Sequence, residues 1–346
     1  MAGKMKAALM LGPGKIEMGE LPMPEYGDDE VLVRIKHVGI CGADLEFFKA
    51  GRIGGWVLEF PHVLGHEPAG IVEEVGKNVK HLKPGDVVAI EPGKACFKCP
   101  TCLSGRYNMC PNMLFMSVPG VKGAFREFLA WPANLVFKTM PGTDTADACL
   151  AEPLAVGIHS IKLSGMKFGE SAAILGTGCI GLCVAQVLRA QGISEIYVTD
   201  HNKVRLDKAK ALGATHVFND HDVDVVAEIN KLSGGGVDKV FECTGSQKSA
   251  AQSIGMMKSN GVMVVIGMYG EPTQPVDMNG LLMKEGSIVT SFRYCHNYPA
   301  ALQAIGSGVI NVRDIVSHRY KLEQLTEALK MNIENKKEVT KIVIEI

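Results

Sequence analysis

An apolar run, Ala172-Ala173-Ile174-Leu175, leads directly into Gly176-Thr177-Gly178-Cys179-Ile180-Gly181, and the apolar stretch Leu182-Cys183-Val184-Ala185-Gln186-Val187-Leu188 follows. The order is strand, tight turn, helix. The three glycines have different tasks. Gly176 permits the turn, Gly178 lets a pyrophosphate approach the backbone beside Ile180, and Gly181 lets the helix pack closely on the strand. A bare glycine pattern is weak evidence. Here a second strand, Glu195-Ile196-Tyr197-Val198-Thr199, ends in Asp200, about 20 residues past the motif, where a carboxylate accepts hydrogen bonds from an adenosine ribose. Such a carboxylate repels the additional phosphate of NADP, so Asp200 favours NAD. Arg205 is the nearby cation that a phosphate would seek, and its alternative reading is an exposed helix residue.

A second constellation lies earlier in the chain. Cys41, His66 and Glu67, followed much later by Glu152, supply a soft thiolate, an imidazole and carboxylates. A structural zinc is closed by four protein ligands, whereas a set of this kind leaves a corner open for water or a substrate oxygen, which is the mark of a catalytic zinc. Taken singly, His66 reads as a hydrogen-bonded loop histidine and Cys41 as a small buried hydrophobe. A third cluster, Cys96, Cys99, Cys102 and Cys110, has the spacing C-x2-C-x2-C-x7-C and suits a closed, structural zinc. An iron–sulfur cluster fits less well because the last gap is too long for the usual ferredoxin run. Disulfides are disfavoured, since no secretory signal is evident and the other six cysteines are scattered.

Length and charge narrow the class. At 346 residues the chain is long enough for two cores. A formal net charge of −1 and the lack of a Lys/Arg-rich block argue against a nucleic-acid footprint and leave small molecules as the expected partners. No apolar run of about 18 residues is present and the first fifteen or so lack a long apolar core, so neither a membrane anchor nor an export signal is expected, and the compartment is expected to be cytoplasmic.

The texture changes near Glu152-Pro153. Before it, short β-rich runs (Glu30 to Val38, Ala69 to Val75, Asp86 to Ile90, Phe125 to Trp131) alternate with Gly and Pro turns, which predicts an irregular barrel-like β domain holding every candidate metal ligand. After it, strands near Ala172, Glu195, His216, Asp238, Val262 and Ser287 alternate with helical patterns, most clearly Asn202 to Leu212 and Gln247 to Lys258. That alternation predicts an α/β fold with a doubly wound parallel sheet. A helical stretch from Leu322 to Asn332 and a strand from Lys341 to Ile346 break the alternation and are expected to rejoin the first domain, which places the active site in the cleft between the two.

On these motifs the chain resembles the zinc-dependent medium-chain dehydrogenases, and within them the polyol (sorbitol and xylitol) branch. The resemblance covers the whole length. It is carried by Cys41-Gly42-Ala43-Asp44, Gly51-Arg52-Ile53-Gly54, Gly65-His66-Glu67, Pro84-Gly85-Asp86, Ile90-Glu91-Pro92-Gly93, Gly105-Arg106-Tyr107-Asn108, Glu152-Pro153-Leu154, the glycine motif with Asp200, and Phe292-Arg293-Tyr294-Cys295. It implies a GroES-like catalytic domain over 1–153 and 297–346 and a Rossmann NAD-binding domain over 154–296. It also implies one catalytic zinc on Cys41, His66 and Glu67, with Glu152 a fourth ligand or one water away, and one structural zinc on the four clustered cysteines. Further implications are cofactor contacts from Ile266, Met268 and Phe292, substrate contacts from Phe47, Glu152, Arg293 and Tyr294, and a homo-oligomer, a dimer or tetramer. The implied reaction is hydride transfer from a secondary alcohol of a polyol to NAD, giving a ketose.

Two residues depart from the family pattern. Many relatives carry a hydroxyl side chain where Ala43 stands, which starts a proton relay, so the proton is expected to leave through water and Glu152 instead. Sorbitol-type relatives often carry a tyrosine where Phe47 stands, which makes this end of the pocket more apolar. Threonine, a vicinal diol or a phosphorylated polyol, the last clamped by Arg52 and Arg293, are the alternative substrates. A non-catalytic NAD-binding structural or redox-sensing protein is the alternative of a different class.

Overall fold

The computed structural model describes residues 3–346. The chain divides into two compact units: Met1–Glu152, Tyr298–Gly308 and Val316–Ile346 form the first, Pro153–Asn297 and Val309–Ile315 the second. The boundaries expected at 153 and 297 therefore fall at Glu152 and Tyr298. One segment expected in the first unit, Val309–Ile315, belongs to the second. Its side-chain and backbone pairing explains why: Gln186 Nε2 donates to Asn311 O at 3.1 Å, Asn311 N returns a bond to Gln186 Oε1 at 2.8 Å, and Lys208 Nζ donates to Asp314 O at 2.6 Å.

The second unit contains a six-stranded sheet in the order His216–Asn219, Ile196–Asp200, Ala172–Leu175, Val237–Glu242, Met257–Val265, Ser287–Thr290. Every neighbouring pair is parallel. The central strands Ala172–Leu175 and Ile196–Asp200 are buried at every position, as in a sheet covered on both faces. Strand order reverses on either side of Ala172–Leu175, the arrangement that opens a crevice at the carboxyl ends of the strands. Helix starts are capped as their sequences demand: the Asn202 side chain accepts from Val204 N and Arg205 N, Asp224 from Val226 N and Ala227 N, and Ser246 from Ser249 N. The helix expected over Gln247 to Lys258 is shorter. It ends at Ser253, passes through a 3-10 turn at Ile254–Met256, and gives way to the strand Met257–Val265. Ile254, Met256 and Met257 are all within 1 % of full burial, a cluster too dense for one helix face, and Met257 pairs with Val237 in the sheet.

The first unit is built on a seven-stranded sheet. Its main path runs Val136–Lys138, Val87–Ile90, Glu67–Val75, Glu30–Gly39, Ile342–Glu345, His318–Lys321, with Phe128–Pro132 also pairing on Glu30–Gly39. The chain's tail thus joins this sheet between Glu30–Gly39 and His318–Lys321, Ile344 lying opposite Val38. The core gathers Val31, Val33, Ile35, Phe47, Leu64, Phe125 and Trp131. Two elements had no sequence signal of their own. The hairpin Lys4–Gly12 and Lys15–Pro22 is half exposed with mixed polarity, and the helix Ala151–Ser164 carries Pro153 in its first turn, where a missing N–H is harmless. Among the described residues no helix is long and apolar enough to cross a membrane.

Candidate active site

Cys41 is the residue preceding the helix Gly42–Ala50, and Glu67 opens the strand Glu67–Val75, with His66 just before it. One donor atom from each of Cys41, His66 and Glu67 lies within 4.8 Å of the others, so the three converge on a volume a single ion can fill. Glu152 is buried in the same unit and is not part of that close group. Its charge is felt by Glu91, whose carboxyl is pushed up to about 7, first by burial and then by Glu152, against a hydrogen bond from Tyr107. That bond, from Tyr107 Oη to Glu91 Oε1, is 2.6 Å long.

Two residues without a role in the sequence reading organise this set. Asp44 is fully buried: Cys41 N donates to its Oδ2 at 3.0 Å, while Gly65 N and Ser117 Oγ donate to its Oδ1 at 3.0 and 3.2 Å. Its spacing from Cys41, three residues into a helix start, is the one sequence signal that points to it. His66 Nδ1 stands 3.7 Å from the same Oδ1, which leaves Nε2 as the ring nitrogen for a metal. Burial pushes the Asp44 carboxyl up, but His66 and the N–H donors outweigh it and hold it below the usual range. Burial likewise disfavours a charged His66, yet Cys41 and Asp44 overcome that and hold it well above the usual imidazole range. Without a metal the site therefore retains a proton that an ion must displace.

The second organiser is Lys341, whose Nζ reaches Glu67 Oε1 at 2.6 Å and Oε2 at 2.5 Å and also donates to Ile40 O at 2.9 Å. Both side chains are at least 96 % buried, so the carboxylate is compensated where it lies. Gly39 makes room for it: a Cβ there would stand 1.9 Å from Glu67 Oε2. No local sequence pattern links positions 67 and 341.

The four clustered cysteines also fit an ion. Sulfur separations of 3.4, 3.5, 3.9 and 4.0 Å among Cys96, Cys99, Cys102 and Cys110 bracket the ~3.8 Å edge of a tetrahedron with zinc–sulfur bonds of about 2.3 Å. Backbone N–H groups point inward: Cys102 N donates to Cys99 Sγ and Cys96 N to Cys110 Sγ, each at 3.4 Å. The backbone bond at Lys98 leads in drawing the Cys96 thiol down to about 6, while burial and then its sulfur neighbours push Cys102 up to about 12.

In the second unit the glycine motif has the local geometry its sequence implies. Gly176 adopts φ +92°, Gly181 would place a Cβ 2.0 Å from Gly176 O, and Gly178 faces open space. The helix Cys179–Ala190 begins there, and the positive end of its dipole suits an anion. Asp200 is held firmly, its Oδ2 accepting from Thr177 N and Thr177 Oγ1 at 2.8 Å each and its Oδ1 from Asn202 N at 2.9 Å. Arg205 lies in the first turn of the next helix, half-buried. Ile266 and Gly267 are anchored by backbone bonds to Glu242 O, and Met268 beyond them is 69 % exposed. Arg293 lies with its guanidinium 4.7 Å above the Phe292 ring, in left-handed backbone at φ +57°, and Tyr294 is buried. Phe47, in the first unit, is packed into the apolar core at 2 % exposure.

Family models match both units: the alcohol dehydrogenase GroES-like domain over residues 27–141 and the zinc-binding dehydrogenase over residues 179–307. The sorbitol dehydrogenase of Bacillus subtilis is 35 % identical over 98 % of this chain and 97 % of its own. Among solved structures, L-idonate 5-dehydrogenase of Escherichia coli superposes with a TM-score of 0.93 at 28 % identity, covering 100 % of this chain and 99 % of that one. A Sinorhizobium meliloti protein crystallised with NADP superposes with a TM-score of 0.91 at 29 % identity, covering 99 % of this chain and all of that one.

Proposed function

The chain belongs to the zinc-dependent medium-chain dehydrogenase superfamily, in its polyol branch, as an alcohol dehydrogenase that uses zinc and a nicotinamide dinucleotide; from that premise we propose that it moves a hydride from a secondary alcohol carbon of a sorbitol- or xylitol-like polyol to NAD, giving a ketose. The observation that carries this reading is the convergence of Cys41, His66 and Glu67 within 4.8 Å, a donor set of three that leaves a coordination position for substrate. When bound, zinc supplies Lewis acidity toward a hydroxyl oxygen and the dinucleotide supplies the hydride acceptor.

The protein's own groups supply the rest. Asp44 faces the His66 ring from behind, and Lys341, within reach of both Glu67 oxygens, compensates a charge that burial alone would oppose. With the cofactor bound, the alcohol carbon would give up its hydrogen as hydride and the O–H proton would have to reach solvent. Ala43 has no hydroxyl to pass it on, so Glu152, taking the proton at its carboxylate through a water, is assigned that task. Asp200, pinned by Thr177 and Asn202, presents a carboxylate that suits the ribose hydroxyls of NAD and repels the phosphate of NADP.

The test is nicotinamide reduction with NAD across sorbitol, xylitol, ribitol, galactitol, threonine and butanediol, with and without a zinc chelator. Chelator-sensitive turnover that is fastest on a polyol is the expected result. Turnover fastest on threonine or the diol would overturn the substrate assignment, and turnover indifferent to the chelator would overturn the role of the zinc.

A further inference from the structure

The dinucleotide-binding sheet carries a further set of metal donors that the reaction does not use. Strands Ile196–Asp200 and His216–Asn219 are parallel neighbours with Asp200 opposite Asn219, so His201 and the pair Asp220-His221 emerge side by side at their carboxyl ends. Asp220 N donates to Asp200 O at 3.1 Å, which ties the two turns together, and His221 N donates to Asn219 Oδ1 at 3.0 Å, which fixes the second turn. One donor atom from each of His201, Asp220 and His221 lies within 4.8 Å of the others. The two imidazoles lie 5.4 Å apart, nearly parallel at 18°. The Asp220 carboxylate is asymmetric. Its Oδ2 accepts from Lys248 Nζ at 2.8 Å, whereas its Oδ1 is buried with no hydrogen-bond partner. A buried carboxylate oxygen without a donor is costly, and a cation removes that cost.

We propose that His201, Asp220 and His221 form a divalent transition-metal site at the carboxyl edge of the sheet. Two imidazoles and one carboxylate select zinc-, nickel- or copper-class ions over calcium and magnesium, which prefer all-oxygen shells. Three protein ligands leave the remaining positions to water. Affinity is expected to be lower than at the cysteine sites, because His201 and His221 are exposed and Lys248 competes for the carboxylate. The ion would also lie beside Asp200, whose Oδ1 is 3.7 Å from His201 Nδ1. On the reading of Asp200 as the ribose carboxylate, occupancy of this site therefore weakens dinucleotide binding.

The experiment starts from protein whose cysteine sites are already filled with zinc and titrates further Zn2+ against a chromophoric chelator. Wild type should take up one additional equivalent, and H201A/H221A should lose it. The single variants H201Q and H221Q should each weaken it by roughly tenfold or more, and they keep the test informative should the double variant fail to fold. Equal uptake by wild type and variants, or none by wild type, overturns the site. NADH affinity is then measured with and without the additional equivalent. A severalfold loss in wild type that is absent in the variants is expected. If the equivalent binds but NADH affinity does not move, the coupling to Asp200 is wrong; if NADH fails to bind with or without the ion, the fault lies in the dinucleotide reading, and the metal titration still decides the site.

Discussion

Asp44→Asn removes one charge and replaces one acceptor oxygen by an NH2 group without changing the size of the side chain. Either orientation of the amide sets that NH2 against a donor. With Nδ2 in place of Oδ2, the Cys41 N–H loses its partner at 3.0 Å; with Nδ2 in place of Oδ1, the Gly65 N–H loses its partner, the Ser117 hydroxyl must turn to accept, and an NH2 group faces His66 Nδ1. The first arrangement is the less costly. Leaving one buried N–H unpaired costs about 1–3 kcal/mol, and the two surviving bonds each drop from charged to neutral strength, about 1 kcal/mol apiece. The sum is about 3–5 kcal/mol, or on the order of 10 °C in Tm for a unit of this size. His66 also loses the carboxylate facing its Nδ1, so zinc affinity at Cys41, His66 and Glu67 should fall by about 10- to 100-fold. The sign with pH is fixed by the depressed carboxyl of Asp44: its contribution is present above its unfolded value near ~3.9 and is lost as pH falls through the folded value, so the gap between wild type and variant closes in acid. Denaturant unfolding with and without a chelator, together with competition against a chromophoric zinc ligand, measures both quantities. Stability within about 1 kcal/mol of wild type and unchanged zinc affinity would refute the reasoning.

Glu152→Gln should lower turnover by about 10- to 100-fold and flatten the pH dependence of kcat, since the proton loses its acceptor; an unchanged rate and profile would remove Glu152 from the proton path. Asp200→Ala should raise the NADP/NAD preference ratio and the KM for NAD, and a ratio that stays put would place the ribose elsewhere. Cys99→Ser should cost one zinc per chain and lower thermal stability, while the zinc held by Cys41 stays in place; normal stoichiometry by elemental analysis would contradict the cluster. Zinc uptake by metal-free protein at Cys41, His66 and Glu67 should release protons into weakly buffered solution, because His66 is held protonated well above its usual range, and affinity should therefore rise with pH. In the metal-free protein the same shift acts with the opposite sign on stability: the contribution of His66 is complete below its unfolded value and is lost as pH rises through the folded one.

What could be read in the sequence and what could not divide along the range of the interactions. The glycine turn and the Asp200 carboxylate at the end of the next strand were legible because strand, turn and helix follow one another within about 25 residues, and each glycine answers a local constraint such as the positive φ of Gly176. All six parallel strands were legible for the same reason, as short apolar runs bounded by turns. The overlong helix at Gln247 was not, because Met257 looks helical by propensity and becomes a strand only through pairing with Val237, 20 positions earlier in the chain. At the candidate metal site the donors Cys41, His66 and Glu67 were legible as residue types with known chemistry, yet the groups that set their charge were not. Asp44 is within reach of Cys41 along one helix turn and leaves a faint signal, whereas Lys341 meets Glu67 across 274 positions of sequence and leaves none. The metal's electrostatic setting is therefore a product of the fold: a chain with the same Cys41, His66 and Glu67 but a neutral residue at 341 would present a carboxylate buried without compensation, at a cost of about 3–5 kcal/mol. That cost makes the strand Ile342–Glu345, which follows Lys341 and is remote from every motif, part of what allows Cys41, His66 and Glu67 to stand together.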